Sequence, residues 1–295
     1  CSSKLARFLK CTRGERRLDL AVWSHLVDPR WPARGVIVST LDDYKCSLYA
    51  SSILQALTQS TSAARLSNLA VLSVDQSCAA LTSLGLLARR LNDEAANELV
   101  ENIGRFLTSD VLRLCVASAY ALGLTEHSCA ESYLLKALSS QHQTVQETAA
   151  QALGQLGSGV ALEAMIEIYQ SSRYSKLNCA IIEALGRIGS RNSDASIREQ
   201  VLVWLKRAFT RGTSLERCAA AAALGLMGDK QALNLLIETA THARGELRAA
   251  SVRALGVLGD SSAIPPLVAA LTDGLESLRL EASEALISLG PVAEP

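Results

Sequence analysis

The chain has 295 residues with 29 basic and 29 acidic side chains, so its formal net charge is zero and no whole-molecule field draws it to nucleic acid. Leucine (49) and alanine (44) supply close to a third of it, while aromatics are only 4%. That composition fits closely packed helices, argues against a β-sandwich or barrel, and at 20% charged residues excludes a disordered chain.

The first 40 residues carry Lys4, Arg7, Lys10, Arg13, Arg16, Arg17, Arg30 and Arg34 against three acidic residues, a local charge of +5 that leaves −5 for the rest. Trp23 and Trp31 lie in the same stretch. They are expected to belong to an amphipathic N-terminal cap over the first apolar face that follows. The other reading is a nucleic-acid or membrane-surface patch. The uncharged run 46–64 contains nine Ser, Thr or Gln among its 19 residues and is not a membrane span. The cysteines, at positions 1, 11, 46, 78, 115, 129, 179 and 218, form no CxxC pair. Their scatter points to reduced thiols and a cytoplasmic location. The alternative, an exported lipoprotein anchored at Cys1, sits badly with unpaired thiols. No proline falls between 33 and 264, so nothing there breaks a helix by removing an N–H.

Beyond residue 45 the sequence repeats. Residues 248–260 read RAASVRALGVLGD, and relatives occur at 146–157 (QETAAQALGQLG), 178–189 (NCAIIEALGRIG), 217–229 (RCAAAAALGLMGD) and 279–290 (RLEASEALISLG). More divergent copies are CVASAYALGL at 115–124 and SCAALTSLGL at 77–86, with a weak eighth at Ser47–Thr58. The aligned positions are Gly85, Gly123, Gly154, Gly186, Gly225, Gly256 and Ile287, at intervals of 38, 31, 32, 39, 31 and 31. Each unit reads as two helices, with apolar or small residues on one face. The glycine is expected to let neighbouring helices approach and then to end its helix. Pro265 and Pro266 suit the first turn of the helix that follows, where no N–H is needed. A single pair cannot bury its apolar face, so the pairs must stack.

This pattern resembles the HEAT-like repeat family, in particular the short-period type of the phycobilisome lyases, over residues 46–290. The resemblance implies an all-α fold: a right-handed α-solenoid of seven or eight helical pairs. The expected organisation is an atypical basic helical cap over 1–45 and a repeat domain over 46–295.

The resemblance also places the glycine-bearing helices on the concave face. Their outward positions include Tyr120, Glu147, Gln151, Cys179, Glu183, Cys218, Arg253 and Glu284, a mixed, weakly acidic stripe suited to a protein or peptide. It lacks the basic and aromatic interleaving of a nucleic-acid groove. Arg217, Arg248 and Arg279 recur at one repeat position. Asp229 and Asp260 each lie 19 residues before the next arginine, so a structural ladder is expected in which each arginine bonds the preceding repeat's turn. Leu280 takes an outward position on the last repeat, where an exposed apolar patch is expected to mark a C-terminal interface for a second copy, a partner or a downstream segment of a longer chain.

No His is followed by Glu, and no HExxH, GxSxG or phosphate-binding loop occurs, so no catalytic, cofactor or metal site is expected. The leading functional reading is a non-catalytic protein-binding scaffold or adaptor. Two alternatives stand beside it: a phycobilin lyase-like or chromophore-handling subunit, and a nucleic-acid-binding protein acting through the basic N-terminal segment.

Overall fold

The computed structural model describes residues 16–61 and 72–290. Cys1, Cys11, Lys4, Arg7, Lys10, Arg13 and Pro291 lie outside the described residues. The chain divides into two compact units, residues 1–152 and 153–295. The described residues form sixteen α-helices with four short 3-10 turns and no strand.

Unit 1 opens with α1 (Arg16–Val27) and α2 (Arg34–Thr40). Three helical pairs follow: α3 (Asp43–Thr61) with α4 (Val74–Ala88), α5 (Asp93–Gly104) with α6 (Leu112–Leu124), and α7 (Glu131–Leu138) with α8 (Gln143–Leu156), whose last turn enters unit 2. Unit 2 holds α9 (Leu162–Ser171) with α10 (Ser175–Arg191), α11 (Ala195–Arg211) with α12 (Ser214–Met227), α13 (Lys230–His242) with α14 (Gly245–Leu258), and α15 (Ile264–Ala270) with α16 (Glu276–Leu289). The described residues therefore contain seven pairs. The weak copy at Ser47–Thr58 falls on α3, the first helix of the first pair, and not on a glycine-bearing helix.

Local chemistry sets the helix starts. Ser73 and Gln76 form a reciprocal capping box at α4, as Thr213 and Glu216 do at α12. Asn92 caps α5 through the Ala95 N–H at 3.1 Å. Pro265 and Pro266 occupy the first turn of α15, as their sequence position predicts.

The repeated glycine does not end its helix. It sits inside, pressed against the next repeat. A Cβ on Gly85 would lie 2.3 Å from the Ala121 carbonyl oxygen, and one on Gly154 would lie 2.7 Å from Ala184 Cα. On Gly186 it would approach Ala223 Cβ to 2.6 Å, on Gly225 the Ala254 oxygen to 2.8 Å, and on Gly256 Ala285 Cα to 2.7 Å. In every case the alanine stands two residues before the next repeat's aligned position. Ending the helix falls to a different residue three places on: Gly157, Gly228, Gly259 and Gly290 have φ of 74°, 66°, 74° and 60°. After α6 the same left-handed position is taken by Glu126, at φ 56°.

The core of each unit is aliphatic and fine-grained. Leu81, Leu84, Leu87 and Leu122 are fully buried in unit 1, as are Leu205, Leu224, Leu236 and Leu255 in unit 2. At the start of unit 1 the buried side chains of α1 and α2 are Val22, Leu26, Val27, Ile37 and Val38, with the Leu26 carbonyl accepting from the Ser83 hydroxyl at 2.5 Å. Trp23 is only half-buried, and Trp31 stacks on His25 with ring centroids 4.1 Å apart. The aliphatic residues of α1 and α2 are thus buried, while both tryptophans stay partly exposed.

Candidate functional site

In unit 1 the outward positions of consecutive glycine-bearing helices converge. Cys78 and Thr82 on α4 and Val116 and Tyr120 on α6 line a groove of about 580 Å³, joined by Leu112 and by Arg34 from α2. Its walls are mostly apolar, and Tyr120 and Leu112 are 46% and 40% exposed. Arg34 spends one guanidinium nitrogen on the Asp28 carbonyl, while its buried Nε finds no acceptor. Burial holds this guanidinium below its usual pKa. The groove thus combines an apolar floor, a phenol and an unmet N–H donor. Glu147 and Gln151 continue the stripe on α8, half-buried and exposed respectively.

In unit 2 the stripe is tied up by its own charges. Arg253 pairs with Glu246 at 3.3 Å and with Glu281 at 2.6 Å, and Glu183 reaches Arg187 at 4.0 Å. Glu284 is exposed on α16. Burial first, then the neighbouring Glu216 and Glu183, push the Cys179 thiol up to about 11. Burial likewise raises Cys78 and Cys218, so these thiols are poor nucleophiles at neutral pH. The six cysteines among the described residues are all free.

The arginines at the shared repeat position reach back to the end of the preceding helix or, for Arg279, to the turn after it. Arg217 Nε donates to the Phe209 carbonyl at 2.9 Å and Arg248 Nε to the Ala240 carbonyl at 2.8 Å, each eight residues upstream. Arg279 donates to the Asp273 carbonyl at 2.8 Å. The carboxylate paired with Arg248 is Asp273, in the turn that follows it. Asp229 and Asp260 accept backbone N–H groups at helix starts, from Ala232 at 3.3 Å and Ser262 at 2.8 Å. Leu280 is 55% exposed on α16, with Leu275 at 55% and Ile287 at 77% on either side in sequence.

Sequence reasoning missed a second region. On the α9–α11 side of unit 2, Glu163, Glu167 and Glu199 line one cleft, and Arg173, Arg207 and Arg211 line another; Trp204 and Gln170 border both. The only sequence signal was an exception to a pattern. Asn178 occupies the place in its repeat that Arg217, Arg248 and Arg279 hold in theirs.

Among the described residues no group of three or more His, Cys, Asp or Glu side chains could hold a metal ion, and no helix is long and apolar enough to cross a membrane. His127 instead meets the Ala88 carbonyl through Nε2 at 3.1 Å.

The stacked pairs and their glycine–alanine contacts define a helical-repeat protein of the solenoid class. HEAT repeats match at 114–186, 132–202 and 201–287, more than half of the sequence. The chain belongs to the HEAT-repeat family. No curated protein matches it. Among solved structures, the karyopherin Kap121p bound to Nup53p is similar at 15% identity with a TM-score of 0.59, over 94% of this chain and 33% of Kap121p. The CpcE–CpcF phycocyanin lyase complex from Nostoc aligns at 22% identity and a TM-score of 0.49, over 81% of this chain and 89% of that one. Human deoxyhypusine hydroxylase aligns at 17% identity and a TM-score of 0.37, over 83% and 96%.

Proposed function

We propose that the protein is a non-catalytic scaffold or adaptor, and that the groove between α4 and α6 holds a segment of a partner protein. The observation that carries this reading is the convergence of Cys78, Thr82, Val116 and Tyr120 on one apolar groove with an unmet Arg34 donor. An extended peptide would supply apolar side chains for the floor and a carbonyl for Arg34 Nε. A surface formed in advance costs little ordering on binding. Kap121p, a protein of similar fold, is described bound to Nup53p.

The exposed leucines of α16 and the turn before it extend the proposal. Leu275 and Leu280 form a second contact, with another copy of the chain as occupant.

The test is quantitative capture from the native source with wild type, Tyr120→Ala and Leu280→Glu, together with light scattering. A tyrosine at the centre of an interface contributes about 2 kcal/mol or more, so Tyr120→Ala should deplete a defined set of captured proteins and leave folding intact. Leu280→Glu should lower the mass in solution. Equal capture by Tyr120→Ala and wild type refutes the groove reading, and a monomer in both wild type and Leu280→Glu refutes the second contact. A coloured adduct on adding bilin would favour a chromophore-handling subunit. Steep loss of nucleic-acid affinity with salt would favour the reading based on the basic N-terminal segment.

A further inference from the structure

The cleft at the ends of α9 and α11 has a polar floor that is not fully satisfied. Asn178 and Glu216 are both 6% exposed. Asn178 donates through Nδ2 to Glu216 Oε1 at 2.7 Å, and Glu216 Oε2 accepts the Thr213 N–H at 3.0 Å. Asn178 Oδ1 is buried and accepts from nothing in the protein. A buried acceptor left without a donor destabilises the fold unless something donates to it. In the sibling repeats the same position carries Arg217 or Arg248, which fills the space with a guanidinium and bonds a carbonyl eight residues upstream. Here the shorter Asn178 leaves that space open. Gln170, eight residues before it, lines the cleft of about 580 Å³.

The rim is strongly basic. Arg173, Arg207 and Arg211 are exposed, and none has a carboxylate partner among the described residues. Arg207 lies over the Trp204 ring at 5.0 Å from its centroid, which fixes one guanidinium against an aromatic wall. A ligand for this cleft must bring negative charge to the rim and a hydrogen-bond donor to the floor. A sulfate, which has no donor, brings only the first.

We propose that this cleft is a second binding site, taking a peptide carboxylate against Arg173, Arg207 and Arg211 while an adjoining backbone N–H donates to Asn178 Oδ1. The neighbouring cleft, with Glu163, Glu167 and Glu199 across Trp204, favours a basic residue further along the same peptide. The carboxylate can come from a chain terminus or from an Asp or Glu side chain. The site is separate from the groove of unit 1 and does not depend on it.

Three random octapeptide pools, offered to the intact protein, test the proposal. One has free C-termini and lacks Asp and Glu; one is amidated and contains them; one is amidated and lacks them. Wild type should retain the first or the second about tenfold above the third, the scale of a charge-assisted pair. Retention of the first assigns a terminal carboxylate, and retention of the second a side-chain one. The Arg207→Glu/Arg211→Glu variant, whose changes lie at exposed positions, should lose the preference with an unchanged melting curve. Asn178→Arg, which restores the sibling residue, should lose it too, whereas Tyr120→Ala should keep it. Equal retention of all three pools, or a preference that survives Arg207→Glu/Arg211→Glu, overturns the proposal.

Discussion

Units 1 and 2 are built on the same backbone contact but are fastened differently. Both press a glycine of one repeat onto an alanine of the next, as at Gly85 with Ala121 and at Gly225 with Ala254. Unit 2 adds arginines that reach the preceding helix end or the turn after it, and closes α12, α14 and α16 with glycines of positive φ. In unit 1 the equivalents of the arginine position are Ser77, Cys115 and Gln146, and the turn after α6 is closed by Glu126 instead of glycine. The close backbone approach is therefore the shared requirement, and the guanidinium ties are an addition. Where unit 1 omits them, an apolar groove lies open on the stripe. Where unit 2 drops one, at Asn178, a polar cleft appears.

Substitution at the shared contact should cost both units most. Gly85→Ala and Gly225→Ala each drive a methyl into backbone atoms that cannot move alone, and each should destabilise its unit by about 1–3 kcal/mol or more. Chemical denaturation combined with hydrogen exchange would read this unit by unit; a neutral result for either would separate the two units at their foundation.

The ties should matter to unit 2 alone. Arg248→Ala removes a bond from a charged donor to the Ala240 carbonyl, and the expected loss is about 1.5–3 kcal/mol, with exchange protection of unit 1 unchanged. The Leu275 N–H, and then Arg248, hold the Asp273 carboxyl below its usual pKa. The stabilisation is thus complete above the ordinary carboxylate range and fades as pH falls through the lowered value. A thermal melt series in acid should show that loss in wild type and a weaker one in Asp273→Asn.

The smallest effect tests the turn. Glu126→Gly relieves a left-handed conformation and sacrifices an exposed pair with Arg89 at 3.0 Å. Because exposed pairs contribute little, the net change should be a gain of about 0.5–1 kcal/mol, visible as a raised melting temperature.

The sequence shows the repeat clearly because the Ala-Leu-Gly triplet recurs in register, and its small residues already imply close approach. It does not show which of two glycines three residues apart ends the helix, since both recur together. Nor does it choose the partner of Arg248. Asp229 precedes that arginine at a recurring interval, but the carboxylate that meets it is Asp273, on the other side in sequence. The stripe residues were legible from helical periodicity, whereas their convergence in unit 1 and self-pairing in unit 2 depend on which charged neighbours come within reach. Asn178, Trp204 with Arg207, and Glu216 lie on three different helices, α10, α11 and α12, and no repeat spacing links them, so only the exception in the arginine position marked the place.

The glycine–alanine contact has a consequence for how such a chain can change over time. Its two halves keep their register whether 31 residues separate successive glycines or 39: Gly186 meets Ala223 across the longest interval just as Gly225 meets Ala254 across a short one. Length is absorbed beyond the seam, in the last turn of α10 after Gly186 and in α11, helices of 17 residues each. Duplication, deletion or lengthening of a repeat leaves the joint intact, so the outer helices are free to drift while the inner ones stay fixed. New recognition chemistry can accumulate on α9 and α11, where Trp204 and its arginines now stand, without disturbing the part that folds.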